Sequence, residues 1–379
     1  RGAPQRRPQF PLGQPVMRLL VCGGGTYGHT MPALAVIDQL RCLRNDLTVL
    51  LLGSRRGLGH RELPGLRVER IGSAPLSGVS PAAVPLNLAR NASAYLSALA
   101  LVRKFDPQVA LSTGGYPSVA GALAARTLRR PLLLLALDRR PGLAVGLQAR
   151  IADLVCCVDG DSLERVATER AVVSGLPLRT QFDHPDRDAG RRRVGIASDQ
   201  NLLLVVGGSQ GAAAINRAVS AQLPQLLANS QLVHVTGSRQ IDAAHSDRAQ
   251  LDESLRDRYH PFEFVDSGFA DLLAAADLVV SRAGAGAVAE IAATSRPAIL
   301  VPGSFAGGHQ HDNAEPLVRA GAAVLMADDC LDKLAERSGK LISDRPRLCR
   351  MSAAGRGLGR PDAARFVAEQ VLMLGSSPP

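Results

Sequence analysis

Tryptophan is absent from this chain, and aromatic residues make up only 3% of it. Proteins that grip single-stranded nucleic acid need aromatic faces on which bases stack. No zinc-finger, RNP-type or basic-zipper pattern occurs either, so no nucleic-acid partner is expected. Long apolar runs are also missing. The stretch from Pro131 to Leu137 has strand length, far short of the roughly 18–20 residues that span a bilayer. The 6 cysteines (Cys22, Cys42, Cys156, Cys157, Cys330, Cys349) form no C-x-x-C. They read as small thiols of a reducing cytoplasm. Metal-ligand clusters are lacking too: His309-x-His311-Asp312 is the nearest approach, and no metal is expected. Acidic residues are outnumbered, 34 Asp and Glu against 44 Lys and Arg, giving a net charge of +10. Phosphorylated substrates or an anionic membrane surface suit that balance.

What the chain does have is one unit written twice. Arg18-Leu-Leu-Val-Cys22 runs into Gly23-Gly-Gly-Thr-Tyr-Gly-His29, and a helical pattern follows from Pro32. Leu202-Leu-Leu-Val-Val206 runs into Gly207-Gly-Ser-Gln-Gly211, again followed by a helical pattern. A buried strand that breaks at glycine and feeds a helix lets backbone approach a ligand and offers it free N–H groups. Two such units predict two Rossmann-like α/β domains with mostly parallel sheets facing across a cleft. The length, 379 residues, allows them.

Strands are expected at 18–23, 47–53, 67–71, 108–112, 131–137 and 153–158, then at 201–206, 231–236, 261–265, 277–281, 298–302 and 322–326. Helices are expected at 32–44, 86–104, 117–129, 212–228, 268–276, 285–295, 311–320 and 362–374. Such alternation specifies parallel sheets covered by helices. Residues 1–16 read as a disordered basic tail, Pro-rich and without the apolar core of a signal peptide. Residues 17–178 form the first domain and 179–349 the second, with a polar, charged stretch after the break, from Thr180 to Arg193. The final segment, 350–379, carries a helix that returns to the first domain.

Gly23-x-Gly25-x-x-Gly28 matches the dinucleotide fingerprint, which expects an acid at the end of the second strand. Here that strand ends in Gly53-Ser54-Arg55-Arg56. The two arginines suit a 2′-phosphate, but this reading gives the second glycine turn no role. His29, at the end of the first turn, points to a proton acceptor in the cleft; a histidine that merely bonds backbone is the alternative. In the second half, Ser281-Arg-Ala-Gly-Ala285 opens a helix carrying Glu290, whose carboxylate is placed to accept two ribose hydroxyls.

These motifs closely resemble the MurG family, the lipid-linked peptidoglycan N-acetylglucosaminyltransferases of the two-domain GT-B fold. The resemblance runs from Met17 to about Leu374. It is carried by Gly24-Gly-Thr-x-Gly-His29 with Pro32-Ala-Leu-Ala, by Thr113-Gly-Gly-Tyr116, and by Gly207-Gly-Ser-Gln-Gly-Ala212 with Asn216. Ser281-Arg-Ala-Gly-Ala285 with Glu290, and His309-Gln310 with Asn313-Ala314, complete it. It implies UDP-N-acetylglucosamine as donor in the second domain. Ser209 and Gln210 would approach the diphosphate and nucleotide, Arg179 would pair with phosphate, and the turn ending at Ala285 would present N–H groups. Glu290 would hold the ribose, and His309 and Gln310 the sugar, with Thr26, Gly28, Asn216 and Asn313 also on the donor side. Gly25, Thr113, Gly114, Gly115 and Tyr116 would line the acceptor, an undecaprenyl-diphosphate-linked muramoyl pentapeptide. The 4-hydroxyl of its muramoyl sugar would attack with inversion, His29 and Asp138 being the catalytic candidates, in peptidoglycan synthesis. The family implies a peripheral protein on the cytoplasmic face of the inner membrane. The stretch Pro75 to Lys104, apolar residues mixed with Arg90, Arg103 and Lys104, is the candidate contact with its anionic surface.

Several acceptor-side positions depart from the family pattern. Tyr27 replaces a glycine. Where the family shows His-Glu-Gln-Asn, this chain has Leu135-Ala136-Leu137-Asp138, followed by Arg139-Arg140-Pro141. Val145-Gly146 stands for Asn-Arg, Leu176 for an asparagine, and Ala287 for a threonine. Three accounts follow: the same chemistry with shifted partners, a different lipid acceptor, or donor binding with weak or no turnover.

Overall fold

A computed structural model describes residues 16–23, 27–54, 66–76, 78–166, 168–208, 211–303 and 308–376. Residues 1–15 of the expected tail, Gly25, Thr26, Arg55, Arg56, Ser209 and Gln210 lie outside the described residues.

The first sheet contains β1 (Met17–Cys22), β2 (Leu47–Ser54), β3 (Arg67–Ile71), β4 (Val109–Ser112), β5 (Leu132–Ala136), β6 (Leu154–Cys157) and β7 (Ala171–Val173). The second contains β8 (Leu202–Val206), β9 (Gln231–Val235), β10 (Tyr259–Phe262), β11 (Leu278–Arg282), β12 (Ala298–Val301) and β13 (Ala323–Leu325). All pairings are parallel, in the orders β3-β2-β1-β4-β5-β6-β7 and β10-β9-β8-β11-β12-β13. Helices cover both faces, so inner strands such as β5 (LLLLA) and β8 (LLLVV) are nearly all apolar and buried.

The first lobe's helices are α1 (Tyr27–Leu43), α2 (Val84–Phe105), α3 (Tyr116–Thr127), α4 (Leu143–Ala149) and α5 (Gly160–Val166). Then come α6 (Arg187–Val194), α7 (Ala213–Ala221), α8 (Leu223–Leu227), α9 (Ile241–Gln250), α10 (Glu253–Arg256) and α11 (Phe269–Ala275). The last are α12 (Ala285–Thr294), α13 (His309–Arg319), α14 (Leu334–Ser343), α15 (Arg345–Gly355) and α16 (Ala363–Ser376). Helix α16 lies against α1 and β4 and buries Val367, Ala368, Val371 and Leu372 there. Each buried valine or leucine side chain there contributes about 1.5–3 kcal/mol when fully withdrawn from water.

Four local differences from the sequence expectation have physical causes. Helix α1 begins at Tyr27, five residues before Pro32. Proline offers no N–H to the Gly28 carbonyl, but its fixed φ suits a helix close to its start. The expected helix 212–228 is two helices, because Pro224 restarts the chain at α8. Strand β10 sits at 259–262, earlier than expected; it pairs only with β9, and an edge tolerates Pro261. The charged stretch after Thr180 is no open linker. Asp186 caps α6, its carboxylate accepting from the N–H groups of Asp188 and Ala189, and α6 packs on α11. Gly190 touches that helix so closely that an added Cβ would collide with the Asp271 carbonyl. Arg187 and Arg191 both reach the Asp277 carboxylate at 2.8 Å, and Leu202 N–H donates to it as well.

The chain between the sheets is buried: Leu176, Leu178 and Phe182 join one apolar cluster containing Leu19 and Val21 of the first sheet and Leu204 and Val279 of the second.

Candidate functional site

In each sheet the strand order reverses beside the first strand, between β1 and β4 and between β8 and β11. Chains leaving the C-terminal ends of those neighbours diverge to opposite faces and open a crevice for ligands. The described residues at these strand ends are Gly23, Thr113–Gly115, Gly207, Gly208, Ala283 and Gly284. The twin motif of the sequence is thus the twin switch point of the fold.

In the first lobe, Gly114 and Gly115 take φ of 71° and 76°, a region that costs other residues roughly 1–2 kcal/mol. Gly115 caps α3, and an added Cβ there would stand 3.6 Å from His29 Cε1. A side chain on Gly23 would strike Thr113 Oγ1. His29 Nδ1 lies 2.9 Å from the Thr113 carbonyl. A carbonyl only accepts, so Nδ1 carries the hydrogen and the neutral ring keeps its lone pair on Nε2. Beneath this loop, buried Gln148 accepts from Ser112 Oγ at 2.6 Å and donates to Ser118 Oγ and the Ala144 carbonyl, both at 3.0 Å. Gly28 is exposed in the first turn of α1. Tyr116 opens α3.

In the second lobe, Gly284 caps α12, so that Ala285 begins a helix whose N–H groups face the cleft side of the sheet. Glu290 stands in that helix, half-buried. Burial pushes its carboxyl up to about 7, against the pull of the nearby Arg179 guanidinium. Arg179 also donates to Asp266 Oδ1 at 2.7 Å. Gly207 and Gly208 end the loop described after β8; an added Cβ on Gly207 would press 2.7 Å from Ala212 N. Gln310 Oε1 accepts from Gly303 N–H at 2.8 Å, tying the start of α13 to the end of β12. His309 Nδ1 is buried and finds no partner among the described residues.

Two residues expected on the donor side make hydrogen bonds within the protein. Asn216 is buried, its Nδ2 donating to the Thr236 carbonyl at 2.8 Å and to Gln240 Oε1. Its Oδ1 accepts from His234 Nε2 at 3.0 Å. His234 Nδ1 then accepts from Tyr259 OH at 2.9 Å. Burial holds His234 down at about 4, so it stays neutral. Asn216 also lies close to Gly207 and Gly211, where added Cβ atoms would come 3.3 Å and 3.7 Å from its side chain. Asn313, also buried, spans the lobes: Nδ2 donates to Asp138 Oδ1 at 3.1 Å, and Oδ1 accepts from Arg139 N–H at 3.2 Å. Gln148, His234, Tyr259 and Arg139 were not singled out from sequence. Each is a polar side chain whose partner lies far along the chain, which no local motif displays.

Between the lobes lies a cavity of about 320 Å³, lined among others by Leu137, Arg139, Leu176, Ala285, Val288, Asn313 and Leu317. His29 and Glu290 are not on its walls, so the cavity adjoins the crevices without marking the chemistry. Among the described residues no group of three His, Cys, Asp or Glu side chains could hold a metal ion.

Two parallel-sheet lobes with helix N-termini at paired switch points give the chain the GT-B fold, and the family matches make it, by class, a glycosyltransferase. Residues 19–156 match the glycosyltransferase family 28 N-terminal domain, and residues 202–366 match its C-terminal domain. Among curated proteins, the chain is similar to a protein of Salinibacter ruber named UDP-N-acetylglucosamine--N-acetylmuramyl-(pentapeptide) pyrophosphoryl-undecaprenol N-acetylglucosamine transferase. Identity is 38% over 366 residues, covering 94% of this chain and 96% of that one. A protein of the same name from a Roseiflexus species is 35% identical, with 96% of each chain covered. Among solved structures, MurG of Acinetobacter baumannii superposes with a TM-score of 0.72 at 25% identity, covering 94% of this chain and 99% of that one. The chain belongs to this family of N-acetylglucosamine transferases.

Proposed function

We propose that the protein moves N-acetylglucosamine from UDP-N-acetylglucosamine to the 4-hydroxyl of a lipid-diphospho-N-acetylmuramoyl pentapeptide. The observation carrying this reading is the pair of facing switch points within a chain that matches such transferases along 94% of its length. Glu290 accepts the ribose hydroxyls, and Arg179 with the N-terminus of α12 faces the diphosphate. His29 Nε2 takes the proton as the acceptor hydroxyl oxygen bonds to the anomeric carbon. The bond from that carbon to the diphosphate breaks on the opposite side, the configuration inverts, and UDP departs with the electron pair. Oriented N–H dipoles and Arg179 stabilise the charge on the leaving group.

Membrane association belongs to the same proposal. Leu86, Leu96 and Leu143 are 56%, 64% and 80% exposed, on α2 and α4, which both pack against α3. Arg103 and Lys104 end α2. Exposed apolar groups beside basic ones suit a shallow contact with anionic lipid. No helix among the described residues is long and apolar enough to cross a membrane.

The test is transfer of labelled sugar from UDP-N-acetylglucosamine to a lipid-diphosphate muramoyl peptide, with product analysis. A labelled disaccharide lipid is expected; donor binding without any labelled lipid would sink the reading. In parallel, the protein should co-sediment with anionic vesicles at low salt, and Leu96→Ser with Leu143→Ser should reduce that binding.

A further inference from the structure

Arg139 stands in the loop after β5, where the sequence differs from the expected family pattern, and it bonds residues of both lobes. It is only 3% exposed. Within its own lobe, Nε donates to Asp159 Oδ2 at 2.6 Å and Nη2 donates to Asp161. Across the cleft, Nη1 donates to Glu315 Oε2 at 2.6 Å and to the Asp312 carbonyl at 2.8 Å. Its own N–H donates to Asn313, whose amide returns to Asp138. Every second-lobe partner lies on α13, the helix that His309 and Gln310 open.

The charges explain why one arginine matters here. Asp159 and Asp161 face Glu315 across the lobes, three carboxylates of like sign. Arg319 answers them only at 3.6 and 3.9 Å and is 64% exposed. Without Arg139 the three carboxylates would lose their shared cation and repel one another; with it, each gains a short charge-assisted bond. Its fork reaches both lobes at once, which a lysine ammonium could not do with the same geometry.

We infer that Arg139 is a positioning residue, a latch that closes the lobes and fixes the acceptor-side loop against the start of α13. The closure follows from the geometry alone; its effect on sugar transfer rests on the proposed function.

The exposed thiols Cys42 on α1 and Cys349 on α15 allow spin labels on opposite lobes, with Cys330→Ser removing the half-exposed thiol. Burial pushes the thiols of Cys22 and Cys156 up to about 12 and that of Cys157 to about 11, which spares them from labelling. Inter-label distances would be measured without nucleotide. Arg139→Met should lengthen and broaden the distribution, and adding Glu315→Gln should bring it part of the way back. Glu315→Gln alone leaves Arg139 paired within its own lobe and should fold normally, yet still broaden the distribution. In turnover, Arg139→Met should raise the acceptor KM about tenfold while UDP-N-acetylglucosamine affinity holds, and Arg139→Lys should restore only part. Distributions unchanged from the parent in both Arg139→Met and Glu315→Gln overturn the latch. If no variant, the parent included, transfers sugar, the functional reading fails while the distances still decide this one.

Discussion

Replacing Glu290 by glutamine tests the donor site through two independent readouts. Burial lifts the Glu290 carboxyl from an ordinary 4.5 to about 7, with Arg179 acting in the opposite sense. At 1.36 kcal/mol per pH unit, that displacement corresponds to at most about 3 kcal/mol. A raised carboxyl means that the folded protein holds its proton more tightly than the unfolded chain does. Below pH 4.5 both states are protonated and nothing is lost. Between 4.5 and 7 the unfolded chain ionises first, so stability falls as pH rises; above about 7 the loss is complete. Glutamine avoids it. Glu290→Gln should therefore match the parent near pH 4.5 and exceed it by up to about 3 kcal/mol near pH 8. Donor affinity should behave in the reverse way, because an ionised carboxylate accepts both ribose hydroxyls and a protonated one cannot. The parent should lose up to tenfold in affinity per pH unit below about 7, whereas Glu290→Gln binds weakly at every pH. UDP-N-acetylglucosamine suits the titration: its diphosphate is a diester, without the phosphate ionisation near 6 of a monoester. Urea denaturation and calorimetric titration from about pH 5 to about pH 8.5 supply the two curves. A variant-minus-parent stability difference that stays flat across that range would refute the assigned burial. Donor affinity that stays flat would refute the ribose contact.

His29→Ala should lower kcat by about 10²–10⁴ with little change in donor KM, and an undiminished kcat removes His29 as the base. Tyr259→Phe strips the buried His234 Nδ1 of its donor, and urea unfolding should register a loss of about 1–3 kcal/mol. Gly190→Ala places a methyl against the Asp271 carbonyl and 2.9 Å from Ala275 Cβ. It should cost about 1–3 kcal/mol by the same measurement, and a neutral result would mean that α6 and α11 do not meet this closely in solution.

The inner strands were legible because burial on both faces leaves one solution, a short unbroken apolar run, as in Leu132–Ala136. Edges gave weaker signals. Strand β7 is three half-buried residues, Ala171–Val173, and β10 hides behind its proline. Helix α6 reads as a solvated charge run, since four of its eight residues are arginine. Its buried face consists of Gly190, Arg191 and Val194, and only the Asp277 carboxylate, 86 residues along from Arg191, makes that arginine an inside residue. The glycine turns and their helices were visible because close approach and a free helix end impose residue types locally. Their supports were not. Gln148 meets Ser112 across 36 residues, and Arg139 meets Glu315 across 176.

The departures around the acceptor-side loop share one physical property. Ala136, 1% exposed at the end of β5, and Leu176, 7% exposed on the wall of the interlobe cavity, are apolar where the family resemblance leads one to expect polar residues. Neither asks for a hydrogen-bond partner. Val145 fills the space over Gly114, where an added Cβ would come within 2.9 Å of it. Asp138 exchanges an amide for a carboxylate and receives the Asn313 amide hydrogen. Arg139 brings a full charge into a nearly dry position and meets four acceptors there. A loop that had merely lost its constraints would strand buried donors or charges, each costing about 1–3 kcal/mol or more; here Asp138 and Arg139 find partners. His29, its bond to Thr113 and the glycines Gly28, Gly114 and Gly115 lie outside the altered set, although Tyr27 in the same turn is part of it. On the proposed function, the substitutions would therefore act on how the lobes and the acceptor are held, while His29 keeps the orientation that its bond to Thr113 gives it.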